Sequence, residues 1–120
     1  MLDWAQGELA EGLRCYRAGE FFAAHEHWEM VWLTLDDPEK AFLQGVIQMA
    51  AAFHHVQRGN LPGARSLLRR ALRRFEPHGD RFAGLELATM CEEVREWLAA
   101  LETSDAGPAL PSFPQIRILE

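Results

Sequence analysis

The chain has 120 residues, 48% of them hydrophobic and 25% charged, with a formal net charge of −6, which fits one compact domain around a single core. No apolar run approaches the roughly 18 to 20 residues that span a bilayer, and Met1-Leu2-Asp3-Trp4 is not a basic region leading into an apolar one, so a cytoplasmic, non-membrane protein is expected. Two cysteines, Cys15 and Cys91, without Cys-x-x-Cys spacing, argue against a disulfide framework and against a thiolate zinc cage, and are read as buried thiols.

Helical periodicity runs through the chain without a convincing alternating β-branched segment, so the expected class is all-α with about five helices. Asp3 can cap a first helix that reaches Arg17, with Trp4, Leu9, Leu13 and Tyr16 inward and Ala18-Gly19 as its stop. A second helix is expected from Glu20 to Leu35, ended by Asp36-Asp37-Pro38, where Asp37 can cap a third that runs to Arg58. Gly59 closes the third helix and Asn60 caps a fourth, which carries Pro62 in its first turn and ends at Phe75 before Pro77-His78-Gly79. A fifth helix is expected over Leu85 to Glu102, with Leu87, Cys91, Val94, Leu98 and Leu101 along one stripe. Residues 1–103 are read as a single helical domain. Residues 104–120, with Pro108, Pro111 and Pro114, are read as an extended tail packed on it through Phe113, Ile116, Ile118 and Leu119.

The first four helices contain an internal repeat of about 40 residues, longer than the usual tetratricopeptide unit of about 34. Ala18-Gly19-Glu20-Phe21-x-x-Ala24 aligns with Arg58-Gly59-Asn60-Leu61-x-x-Ala64, and Trp28 and Trp32 align with Leu68 and Leu72. Each half is a helix, a glycine turn and a second helix with a small residue near its start. The architecture expected is two stacked antiparallel helical hairpins, tetratricopeptide-like or four-helix-bundle-like, with a capping fifth helix. In this arrangement Ala24 and Ala64 mark close helix contacts.

At about 100° per residue, Phe21, Trp28, Glu29 and Trp32 lie within roughly 60° of His25 on the second helix, whereas His27 lies opposite and should meet water. Glu26, about 100° round beside Phe22 and Leu33, is expected to be partly covered. Trp28 and Trp32 should be core. The third helix holds no Asp, Glu, Lys or Arg from Ala41 to Val56, which is unusual for a helix with a solvent stripe. Gln44, Gln48, Ala51 and His55 form a narrow polar seam there, which the short connection between the helices is expected to set against His25 and Glu29.

The constellation supports three readings: a buried hydrogen-bond network that fixes helix register, a small-ligand or metal site, and a solvated strip. His25 and Glu29, at i and i+4, can direct nitrogen and oxygen ligands to one ion, with His54 or His55 needed as the third ligand. The pattern is His-Glu-x-x-Glu, so the metalloprotease motif His-Glu-x-x-His is absent.

The motifs His25-Glu26-x-x-Glu29, Gln44-Gly45-x-x-Gln48 and Gly59-Asn60-x-x-Gly63-Ala64 resemble those of the bacterial and archaeal domain-of-unknown-function family 309, over about residues 12–75. That resemblance implies a small helical protein without an established activity. Some family members carry the label of predicted metal-dependent hydrolases, which for this chain implies a metal-bound water with Glu26 or Glu29 as general base.

The charge is unevenly spread. Residues 1–57 hold three cations against nine acids, residues 58–81 seven arginines against two acids, and the remainder two arginines against seven acids. Arg65, Arg69, Arg70, Arg73 and Arg74 make a basic face on the fourth helix, expected to pair with Glu92, Glu93 and Glu96 of the fifth. The acidic balance argues against nucleic acid as the partner. The sequence reading is a binding or scaffold module for a protein or small molecule, with self-association open. Its polar site comprises His25, Trp28, Gln44, Gln48 and His55. The alternative is a zinc- or manganese-dependent hydrolase using Glu26 and Glu29 on the His25 helix with His55.

Overall fold

Two turns built alike organise the molecule. The computed structural model describes residues 2–102 and 110–119. Helix α1 (Gly7–Arg17) turns into α2 (Phe21–Trp32), and α3 (Glu39–Gln57) into α4 (Leu61–Phe75). Gly19 and Gly59 both adopt φ +78°, the left-handed conformation that costs glycine least. At the first turn Gly19 N–H bonds the Tyr16 carbonyl at 3.0 Å and Glu20 N–H bonds Cys15 at 2.8 Å; at the second Gly59 bonds Val56 at 3.0 Å and Asn60 bonds His55 at 2.8 Å. Both are Schellman closures, and they satisfy equivalent carbonyls. Ala24 and Ala64 are each fully buried, so the aligned small residues occupy like positions. The two hairpins stack through α2 and α3, and α5 (Ala88–Glu102) packs on α4.

The ends of several helices differ from the sequence expectation. Gln6 is extended and Asp3 closes a local turn by accepting from Ala5 N–H at 3.0 Å, so α1 starts at Gly7 and not at Asp3. Trp4 is buried outside the helix, its indole N–H bonded to the Ala83 carbonyl at 2.8 Å. Leu85 and Glu86, expected to open the fifth helix, are instead the second strand of a hairpin, β1 (Arg81–Phe82) and β2 (Leu85–Glu86). Ala83 and Gly84 join the strands with φ +54° and +79°, the pairing that a two-residue hairpin turn needs. α5 follows at Ala88, where the Glu86 carboxylate accepts from Thr89 N–H at 2.9 Å. That bond holds the Glu86 carboxyl below its usual range.

A third strand, β3 (Arg117–Ile118), pairs antiparallel with β2 in the order β1-β2-β3. The described part of the tail lies along the helices. Tyr16 donates to the Pro114 carbonyl at 2.6 Å, Arg17 to that of Ile116 at 2.9 Å, and Trp97 to that of Ser112 at 2.9 Å. Phe113 stacks on Trp97 with ring centroids 5.5 Å apart and planes 5° apart, and also meets Phe21 and Phe53. The expected boundary at residues 103 and 104, and Pro108, lie outside the described residues. The core is built from Phe21, Trp28, Phe42, Phe53, Phe75 and Trp97. Cys15 and Cys91 are buried free thiols.

Candidate functional site

The centre of the buried face of α2 falls between Phe21, Ala24 and Trp28, so the two histidines occupy opposite shoulders of that helix. On the α3 side, His25 Nε2 lies 3.3 Å from Glu29 Oε1, and the Phe22 ring stacks on His25 and meets His54 of α3. His25 Nδ1 is buried without a hydrogen-bond partner. Burial pushes the His54 imidazole below its ordinary range, with Arg58, His55 and His25 adding to the effect. On the α1 side, His27 Nδ1 bonds a Glu8 carboxylate oxygen. His27 is therefore half-buried against α1 and does not simply face water.

Trp28 is fully buried and donates its indole N–H to the Leu9 carbonyl at 3.2 Å, so it packs the α1–α2 interface and has no surface to offer a ligand. Trp32 is only half-buried, contrary to the expectation of a core residue, because it lies at the end of α2 where Lys40 caps its ring at 4.5 Å. Glu26 is exposed, with Phe22 and Leu33 beside it also exposed; nothing among the described residues covers that face.

The polar seam of α3 sits elsewhere than expected. The stripe that meets α2 carries His54, near Phe22, whereas the Gln48 stripe meets α4. A Cβ at Gly45 would come within 2.7 Å of Arg74 Cβ and 2.8 Å of a Phe75 ring carbon, so glycine is what lets α4 lie this close. One turn on, Gln48 shares a depression with Arg70, Arg73 and Arg74, and its side-chain oxygen is buried without a partner. Gln44 is half-buried one turn earlier. His55, at the far end, receives the Asn60 amide N–H on Nδ1 at 3.2 Å, while Asn60 caps α4 by accepting from Gly63 N–H at 3.1 Å. His25 with Glu29, and Gln48 with His55, thus belong to two different helix interfaces.

The expected ion pairs between α4 and α5 also differ. Arg69 bonds Glu102 at 2.6 Å, Glu93 is taken by Arg117 at 3.0 Å, and Arg95 turns to Glu76 at 3.0 Å. Arg70, Arg73 and Arg74 make no ion pair among the described residues. The sequence signal for this basic cluster was the arginine run itself. What it lacked was the facing of Gln48, which depends on Gly45 bringing α4 to that side of α3.

Stacked helical hairpins with a polar seam on each side of α3 define the class. Residues 9–67 match the model of DUF309, a domain of unknown function. The chain is also 31% identical over 101 residues to a protein of Aquifex aeolicus (strain VF5) described as an uncharacterized protein. The match covers 82% of this chain and 29% of the relative's length. No helix among the described residues is long and apolar enough to cross a membrane.

Proposed function

We propose that the domain is a helical binding module that engages an acidic partner protein at the α3–α4 seam around Gln48. The observation that carries the reading is the set of three arginines, Arg70, Arg73 and Arg74, gathered around half-buried Gln48, whose side-chain oxygen is buried without a partner, with no carboxylate among the described residues paired to them. Guanidinium forks bind carboxylates bidentately, and the Gln48 amide can offer its oxygen to a guanidinium or, turned over, its N–H groups to an anion. The rest of the chain is acidic, so an acidic segment is repelled elsewhere and directed to this face. The relative in which the matched region is only 29% of the length is consistent with a module that works beside other parts.

The test is fluorescence anisotropy with a labelled oligo-glutamate peptide against an oligo-lysine control. Salt-sensitive binding of the acidic peptide, weakened about tenfold or more when Arg70, Arg73 and Arg74 are changed to Ala, supports the reading. Equal affinity for both peptides, or no effect of the three substitutions, would contradict it.

The hydrolase reading rests on His25 and Glu29, which meet at 3.3 Å, with exposed Glu26 beside them as the base. Counting against it, no third His, Cys, Asp or Glu ligand atom gathers with His25 and Glu29 among the described residues, which leaves zinc or manganese two ligands where a catalytic site uses three. Divalent-ion content of tag-free protein unchanged by His25→Ala, and hydrolytic turnover unchanged by Glu26→Gln, are the expected results.

A further inference from the structure

On the opposite shoulder of α2, the α1–α2 interface brings together Glu11, Cys15 and His27, each with a ligand atom within 4.8 Å of the others. Among the described residues this is the group of carboxylate, thiol and imidazole that could hold a metal ion. The residues come from two successive turns of α1 and one position of α2, placed face to face by the Gly19 closure. We propose that Glu11, Cys15 and His27 form a site for a zinc-class divalent ion that staples α1 to α2.

Three features support the assignment. First, sulfur, nitrogen and oxygen donors together suit zinc and cobalt better than magnesium or calcium. Ligand atoms around a tetrahedral zinc lie roughly 3.3 to 3.8 Å apart at its usual bond lengths, so closing the group takes small side-chain rotations and no backbone change. Second, Glu8 holds His27 Nδ1, which leaves Nε2 for the ion and supplies the carboxylate that orients a ligating imidazole. Third, the group has a way in: the Cys15 thiol is buried while Glu11 and His27 reach the surface, so water can complete the coordination.

Without an ion, Arg14 fills part of this space. Its guanidinium lies 2.8 Å from Glu11 and 3.6 Å from the Cys15 sulfur. Ion entry displaces it, and Glu20, already 4.0 Å away, is the carboxylate it can move to. Binding also displaces the thiol proton of Cys15 to solvent, forming the sulfur–metal bond.

The test is titration of tag-free full-length protein with cobalt(II), followed by absorption. The expected result is one equivalent bound with a near-ultraviolet thiolate-to-cobalt charge-transfer band, which zinc then bleaches. Cys15→Ser abolishes the band, and His27→Gln, at a half-exposed position that the fold tolerates, weakens binding tenfold or more. Arg14→Ala tightens binding by removing the competitor, and His25→Ala leaves the band unchanged. Cobalt binding without a thiolate band, a band that survives Cys15→Ser, or binding lost in His25→Ala but kept in His27→Gln would each overturn the assignment.

Discussion

Gln57 at the end of α3 donates its side-chain N–H to the carbonyl of Gly19 at 2.9 Å, so the turn of the first hairpin is tied to the last turn of the helix that opens the second. The repeat is therefore joined through its turns as well as through its core. Gln57→Ala should cost about 0.5 to 1 kcal/mol in urea unfolding, as expected for one exposed hydrogen bond. Gly59→Ala should cost about 1 to 2 kcal/mol, since no atom crowds the added methyl and only the left-handed backbone opposes it.

Trp28 and Trp32 share a helix but differ in surroundings. Trp28→Ala should destabilise by about 3 to 5 kcal/mol. Trp32→Ala, which loses a half-exposed ring and its contact with Lys40, should cost only about 1 to 2 kcal/mol. Equal losses on thermal unfolding would mean that the end of α2 is more deeply packed than described.

The tail is held by buried bonds to α1. Tyr16→Phe removes the donor to the Pro114 carbonyl while keeping the ring, and should cost about 1 to 3 kcal/mol. Faster limited proteolysis in the tail, compared with the wild type, is the accompanying readout.

His54 gives stability a sign with pH. Its imidazole, pushed below the ordinary 6.5 chiefly by burial, gives up its proton more readily in the folded chain than in the unfolded one. Between the folded and unfolded pKa values the unfolded chain binds more protons, so this contribution is lost as pH falls through about 6.5 and is restored as pH rises. The melting temperature should therefore drop between about pH 7.5 and about pH 5.5, and His54→Gln should reduce that drop.

Much of the fold could be read from residues whose local chemistry admits few alternatives. Asn60 with Pro62 set the start of α4, Gly19 and Gly59 set equivalent turns, and the aligned Ala24 and Ala64 are buried alike. The hairpin over Arg81–Glu86 could not be read in this way, because Ala83-Gly84 is a weak turn signal and two-residue strands have no periodicity to detect. The site was harder. Helical angles placed Gln48 and His55 on one stripe, but which neighbour that stripe meets depends on Gly45 accepting α4 and on the hairpins stacking through α2. The angle of His27 was likewise sound while its environment was not, since the buried face of α2 is centred on Ala24 and leaves His25 and His27 on its two flanks.

The most direct measurement is a nuclear magnetic resonance titration that follows the Gln48 side-chain amide and the arginine Nε–H signals while an acidic peptide is added. Binding at the α3–α4 seam predicts that Gln48, Arg70, Arg73 and Arg74 shift together and saturate at one equivalent, with the backbone signals of His25 and Glu29 unmoved. Shifts centred on His25 and Glu29, with the Gln48 amide unchanged, would contradict it.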